Sequence, residues 1–159
     1  MRDPARWCVL LAAAWLGLLV CVAAIATPSA FAALPSPEAG RVAARVLARE
    51  AAASLLFGAV LALMLRVVAR RRAEETGASQ FTPALGLALG ALFCTVAGYY
   101  GLQPLMAEAR AGAGRFSFGQ LHTASLVFYG LKLALVAALA WRCSSPREAV
   151  SSGAGPAAG

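Results

Sequence analysis

Residues 118–141 read FGQLHTASLVFYGLKLALVAALAW, a stretch whose single charge is Lys132. At ~1.5 Å rise per residue a helix of this length crosses a hydrocarbon layer of about 30 Å. Arg142 follows directly and ends the apolar run. His122, Ser125, Tyr129 and Lys132 recur at intervals of three, four and three, so they share one helical face. A charged side chain near mid-helix costs on the order of 3 kcal/mol against lipid, which predicts that this polar face points inward. Ser125, Tyr129 and Lys132 are then shielded by spans two or three, with the Tyr129 hydroxyl as the nearest partner, while Leu126, Leu133 and Val136 lie at the periphery.

Three more runs of spanning length precede this one. The first, Trp7 to Ala26, follows Arg2 and Arg6. Ala30-Phe31-Ala32 offers a cleavage-like pattern, but the run is longer than the ~7–15 residues of a signal core, so a retained span is expected. Pro28, Pro35 and Pro37 predict a break over Thr27–Pro37, and Ser36-Pro37-Glu38 reads as a helix start. Arg41, Arg45 and Arg49 then form a basic stripe on an amphipathic, interfacial segment. It continues without a breaker into the second span, about Ala51 to Ala69, in which Arg66 can snorkel to the surface. Arg70-Arg71-Arg72 stop that span, and Glu74 to Pro83 reads as a polar loop. The third span is placed at Ala84 to Met106, with Glu108 to Arg115 as a connector. Residues 144–159 are Ser/Gly/Pro/Ala-rich and predict a disordered tail after one domain over 1–143.

Composition agrees with this division. The chain of 159 residues is 60% hydrophobic and 13% charged, whereas soluble domains are roughly a quarter charged. Too little polar surface remains to coat a water-soluble globule. The fold class expected is therefore all-α, an integral membrane four-helix bundle with an amphipathic helix before the second span. The net charge of +7 resides in short arginine clusters between apolar runs, which fits membrane-facing loops and argues against nucleic acid. Arg2, Arg6, Arg66, Arg70, Arg71, Arg72, Arg142 and Arg147 fall on one side, and Arg41, Arg45, Arg49, Arg110 and Arg115 on the other. The positive-inside rule then places both termini in the cytoplasm and the protein in the inner, cytoplasmic membrane.

Small residues mark the expected packing faces. Gly86, Gly90, Cys94 and Gly98 repeat every four residues in the third span, Ser54, Gly58 and Ala62 in the second, and Ala13, Gly17 and Cys21 in the first. Smooth faces of this kind let membrane helices approach closely, within a bundle or between copies of one chain. Polar partners for the fourth span are sought in Tyr99, Tyr100, Gln103 and Glu108, with Glu108 level with His122. Lys132 equally fits a lysine that snorkels or stays neutral without a function. A lone His in the chain argues against haem or a His-rich zinc site, and the scattered cysteines read as packing residues rather than copper ligands. No phosphate loop, nucleophile elbow or paired-carboxylate motif is present, so no cofactor is expected and an enzyme is not.

Several ordered patterns carry a resemblance: Thr27-Pro28 with Phe31, Ala39-Gly40-Arg41, Gln103-Pro104-Leu105-Met106 with Arg110, and Phe118-Gly119-Gln120-Leu121-His122 leading to Ser125. Over about Trp7 to Arg142 the chain resembles bacterial four-span proteins of unknown function related to eukaryotic transmembrane protein 205. The resemblance implies a four-helix membrane fold without an established activity, and marks Pro104, Arg110, Phe118, Gly119, His122 and Ser125 as pattern positions without roles. The functional expectation is a multi-pass structural or accessory component of the bilayer, alone, as a homo-oligomer or beside other membrane proteins. The alternative is a small permease or ion-coupled transporter that works as an oligomer.

Overall fold

The structure, a computed structural model, describes residues 4–77, 79–112 and 114–145. They form four long helices: α1 (Arg6–Ala33), α2 (Ser36–Thr76), α3 (Pro83–Arg110) and α4 (Phe118–Ser144), each long and apolar enough to cross a membrane. The expected all-helical, four-span membrane architecture is what the chain adopts. The predicted tail, apart from Ser144 and Ser145, lies outside the described residues.

Helices neighbouring in sequence are neighbours in space. α1 packs on α2, α2 on α3, α3 on α4, and α4 closes the ring on α1. The two diagonals, α1 with α3 and α2 with α4, therefore face each other across the bundle axis. Short connections between successive antiparallel helices impose this order.

The helix ends follow local chemistry. α2 begins after Pro35, whose φ of −55° suits a helix entry, but Ser36 is its first helical residue and gives no side-chain cap. α2 runs on through Glu74 and Glu75 to Thr76, beyond the expected loop boundary, and stops where Gly77 adopts a φ of +69° and donates its N–H to the Ala73 carbonyl. α3 opens on Thr82, whose hydroxyl accepts the Leu85 N–H at 3.3 Å. α4 opens on a reciprocal box, in which the Ser117 hydroxyl accepts from the Gln120 N–H and the Gln120 side chain accepts from the Ser117 N–H.

The break expected at Thr27–Pro37 is confined to Leu34 and Pro35. α1 instead passes through Pro28 by widening into a π turn over Val22–Ala26, and α3 does the same over Val96–Gly101, just before Pro104. A proline has no N–H for the carbonyl one turn earlier and its ring crowds that carbonyl. Widening the preceding turn relieves the crowding without ending the helix.

The core is drawn from inward stripes. On α1 it is Cys8, Ala12, Trp15, Leu19 and Val22, spaced four, three, four and three, and Leu61, Ala88, Ala91, Val136 and Leu139 meet it from the other helices. Trp15 stacks on Phe57 with ring centroids 6.5 Å apart. The glycine faces work as close-approach points at three positions. A Cβ at Gly98 would stand 2.5 Å from Phe128 Cβ, one at Gly58 2.5 Å from Leu92 Cδ2, and one at Gly90 3.3 Å from Leu135 Cδ1. Cys94 is buried on the same face, whereas Gly86 faces ordinary space beside Phe81. The stripe expected on the first span, Ala13, Gly17 and Cys21, is exposed, because Trp15 and Leu19 turn the adjacent face of α1 into the core.

Candidate functional site: a buried ion pair on the bundle axis

Lys132 points inward. Its side chain is buried and its Nζ donates to Glu50 Oε1 of α2 at 2.8 Å. Lys132 is fourteen residues after the start of α4 (132 − 118), and Glu50 fourteen after the start of α2 (50 − 36). Both helices run in the same direction, so equal spacing brings the two groups to comparable depth on opposite sides of the axis.

Glu50 is held from a second side. Ser54, one turn later on α2, donates its hydroxyl proton to Glu50 Oε1, and the indole N–H of Trp15 donates to Ser54 Oγ at 2.9 Å. Lys132 is held likewise: its Nζ lies 4.6 Å from the centroid of the Tyr129 ring, and the Tyr129 hydroxyl donates to the Leu19 carbonyl of α1 at 2.9 Å. A cation over an aromatic face gains on the order of 1–2 kcal/mol when desolvated. The result is a polar chain, Trp15–Ser54–Glu50–Lys132–Tyr129, that joins α1, α2 and α4 inside an apolar core. Among the described residues no buried side-chain nitrogen or oxygen lacks a hydrogen-bond partner.

This arrangement settles where the candidate residues stand. Ser125 donates to the Gly98 carbonyl of α3 at 3.4 Å, so α3 covers it, while α1 covers Tyr129 and α2 covers Lys132. The Tyr129 hydroxyl does not bond Lys132; the ring face meets the ammonium instead. His122 is exposed one turn into α4 and stacks on Phe118, whose ring also lies 4.7 Å from the Arg110 guanidinium. Three of the pattern positions therefore meet at one helix junction, apart from the buried pair. Glu108 is exposed and Gln103 half-buried, and neither is joined to His122 or Lys132.

The periphery holds Leu126 at 58% exposure, but Leu133 is half-buried and Val136 fully buried. Val136 lies one turn beyond Lys132, and residues four apart share a helical face. Placing the lysine inward carries Val136 with it.

Glu50, Ser54 and Trp15 are the members that the sequence reading did not place in the site. Glu50 directly follows the exposed Arg41/Arg45/Arg49 stripe and falls between that segment and the expected start of the second span at Ala51. One residue of helix rotates by about 100°, which takes Glu50 off the basic face and aligns it with buried Ala43 and Ser54. That alignment was the available signal.

Cys94 is buried on α3 and Cys21 exposed on α1, so these two cysteines face different surroundings. Among the described residues no group of three His, Cys, Asp or Glu side chains converges.

Four apolar spanning helices closed around a buried Glu–Lys pair define the class: a polytopic helical membrane protein with an ionic axis. The chain belongs to the family described as a domain of unknown function, DUF4149, whose model matches residues 10–115. The match takes in α1 to α3, with Trp15, Glu50 and Ser54, and ends before α4. No curated protein and no solved structure matches the chain at a significant level.

Proposed function

We propose that this protein is a structural or accessory component of the cytoplasmic membrane, with both termini in the cytoplasm, working as a packed bundle or small homo-oligomer beside other membrane proteins. The observation that carries this reading is the closed state of the Glu50–Lys132 pair, whose neighbours satisfy it from three helices. A buried pair with its polar needs met acts as a registering device, fixing which helices pack and at what height. The relation to transmembrane protein 205 is part of the same proposal, as is the absence of catalysis. Purified protein in liposomes should give no flux of protons, alkali cations or small organic cations above that of empty liposomes. Flux that disappears with Lys132→Met, in a variant that still folds, would replace this reading with the second one.

That second reading is ion-coupled transport, favoured by one feature: both members of the pair are ionisable. Intramembrane charges commonly mark proton or ion pathways. Four helices enclose little space, so a path would run through an oligomer.

For orientation, the expected result is a cytoplasmic signal from reporter fusions placed after Arg72 and after Gly159. A periplasmic signal from both reverses the orientation.

A further inference from the structure

At the end of the bundle where α1 and α3 begin and α2 and α4 end, a cavity of about 610 Å³ opens between all four helices. Arg6 from α1, Arg72 from α2 and Arg142 from α4 line it, and among the described residues no acidic side chain does. Among the described residues none of these three arginines pairs with a carboxylate. The inner wall is apolar, formed by Val9, Leu65 and Val68.

One of the arginines has a local reason to be there: Arg142 lies in the closing turn of α4, where the backbone carbonyls favour a cation. Arg72 stands just before the closing turn of α2, which itself holds no basic residue. Arg6 has no such reason. It lies in the first turn of α1, where exposed N–H groups make a cation unfavourable, and the opening turn of α3 at Pro83 brings a second positive helix end to the same cavity. Three guanidinium groups and two helix N-termini therefore share one opening. Guanidinium forks match phosphate oxygens in pairs. Because the cavity is charged at its mouth, apolar on its wall and at the end of four helices long enough to cross a membrane, a ligand with both a phosphate and a hydrocarbon portion suits it best.

We propose that this cavity binds the phosphate headgroup of an anionic phospholipid, with the acyl chains following the apolar wall. The full-length protein, delipidated in a neutral detergent, is titrated with phosphatidylglycerol, phosphatidylcholine, glycerol 3-phosphate or inorganic phosphate. Bound lipid is counted by native mass spectrometry and the thermal midpoint is read in parallel. Phosphatidylglycerol should bind and raise the midpoint, and phosphatidylcholine should not. Arg6→Gln, Arg72→Gln and Arg142→Gln together should weaken that binding on the order of 100-fold, at about 1 kcal/mol for each basic group near an anionic surface. Arg41→Gln, Arg45→Gln and Arg49→Gln, which remove equal charge at the opposite end, should leave it unchanged. Equal losses in both triple variants would reduce the effect to net charge and overturn the site. Binding of inorganic phosphate or glycerol 3-phosphate as tight as that of the lipid would overturn the lipid assignment in favour of a soluble phosphate. Should the first triple variant fail to fold, Arg6→Gln alone gives the decisive comparison, and unchanged lipid binding there overturns the proposal.

Discussion

Lys132→Met should destabilise the bundle by about 3–5 kcal/mol, because it leaves the Glu50 carboxylate buried without its counter-ion. Glu50→Leu should cost a similar amount by leaving the ammonium with only the Tyr129 ring. Removing both charges together is a different matter. A buried ion pair exchanged for well-packed apolar residues is often neutral or stabilising, since neither charge then has to leave water. Glu50→Leu with Lys132→Met should therefore recover most of what either single variant loses. Reversible denaturation in mixed micelles, run as a double-mutant cycle, measures this. Single-variant losses that simply add in the double would mean that the 2.8 Å contact contributes no coupling.

Trp15→Ala should cost about as much, on the order of 3–5 kcal/mol, since a fully buried indole leaves a cavity that rigid helices cannot fill. Trp15→Phe separates the two roles of this residue. It keeps a ring against Phe57 but removes the N–H that Ser54 accepts, so its loss should be nearer 1 kcal/mol plus a small packing term. Unfolding of both variants in the same micelles gives the comparison. A Trp15→Ala loss below that of Trp15→Phe would show that the indole does not fill the core.

The spans were legible because lipid imposes a severe composition rule: a run that must bury every backbone polar group internally and face hydrocarbon leaves an uncharged signature. The inward turn of Lys132 was legible for the same reason, through its cost in lipid. Its partner was not, since Glu50 adjoins Arg49 in a segment that reads as surface helix and its burial depends on which way a 41-residue helix rotates in the assembled bundle. The passage of α1 through Pro28 was equally hidden. Proline usually marks an end, and only packing of Thr27–Ala33 against α2 makes continuation worthwhile. Spacing alone puts His122 on the polar face, yet its place near the start of α4 leaves it at the junction with Phe118 rather than in the core.

The diagonal placement of the ion pair bears on how the chain is made. Glu50 and Lys132 are separated by 82 positions, and the lysine lies two helices later in the chain. At about 5–20 residues per second, Glu50 waits on the order of 4–16 seconds for its counter-ion. During that interval an unpaired carboxylate is costly to bury in hydrocarbon, and a position within reach of water favours it. Arrival of α4 draws the pair to the axis. A nascent chain that stops short of α4 therefore retains an uncompensated acid on its second helix.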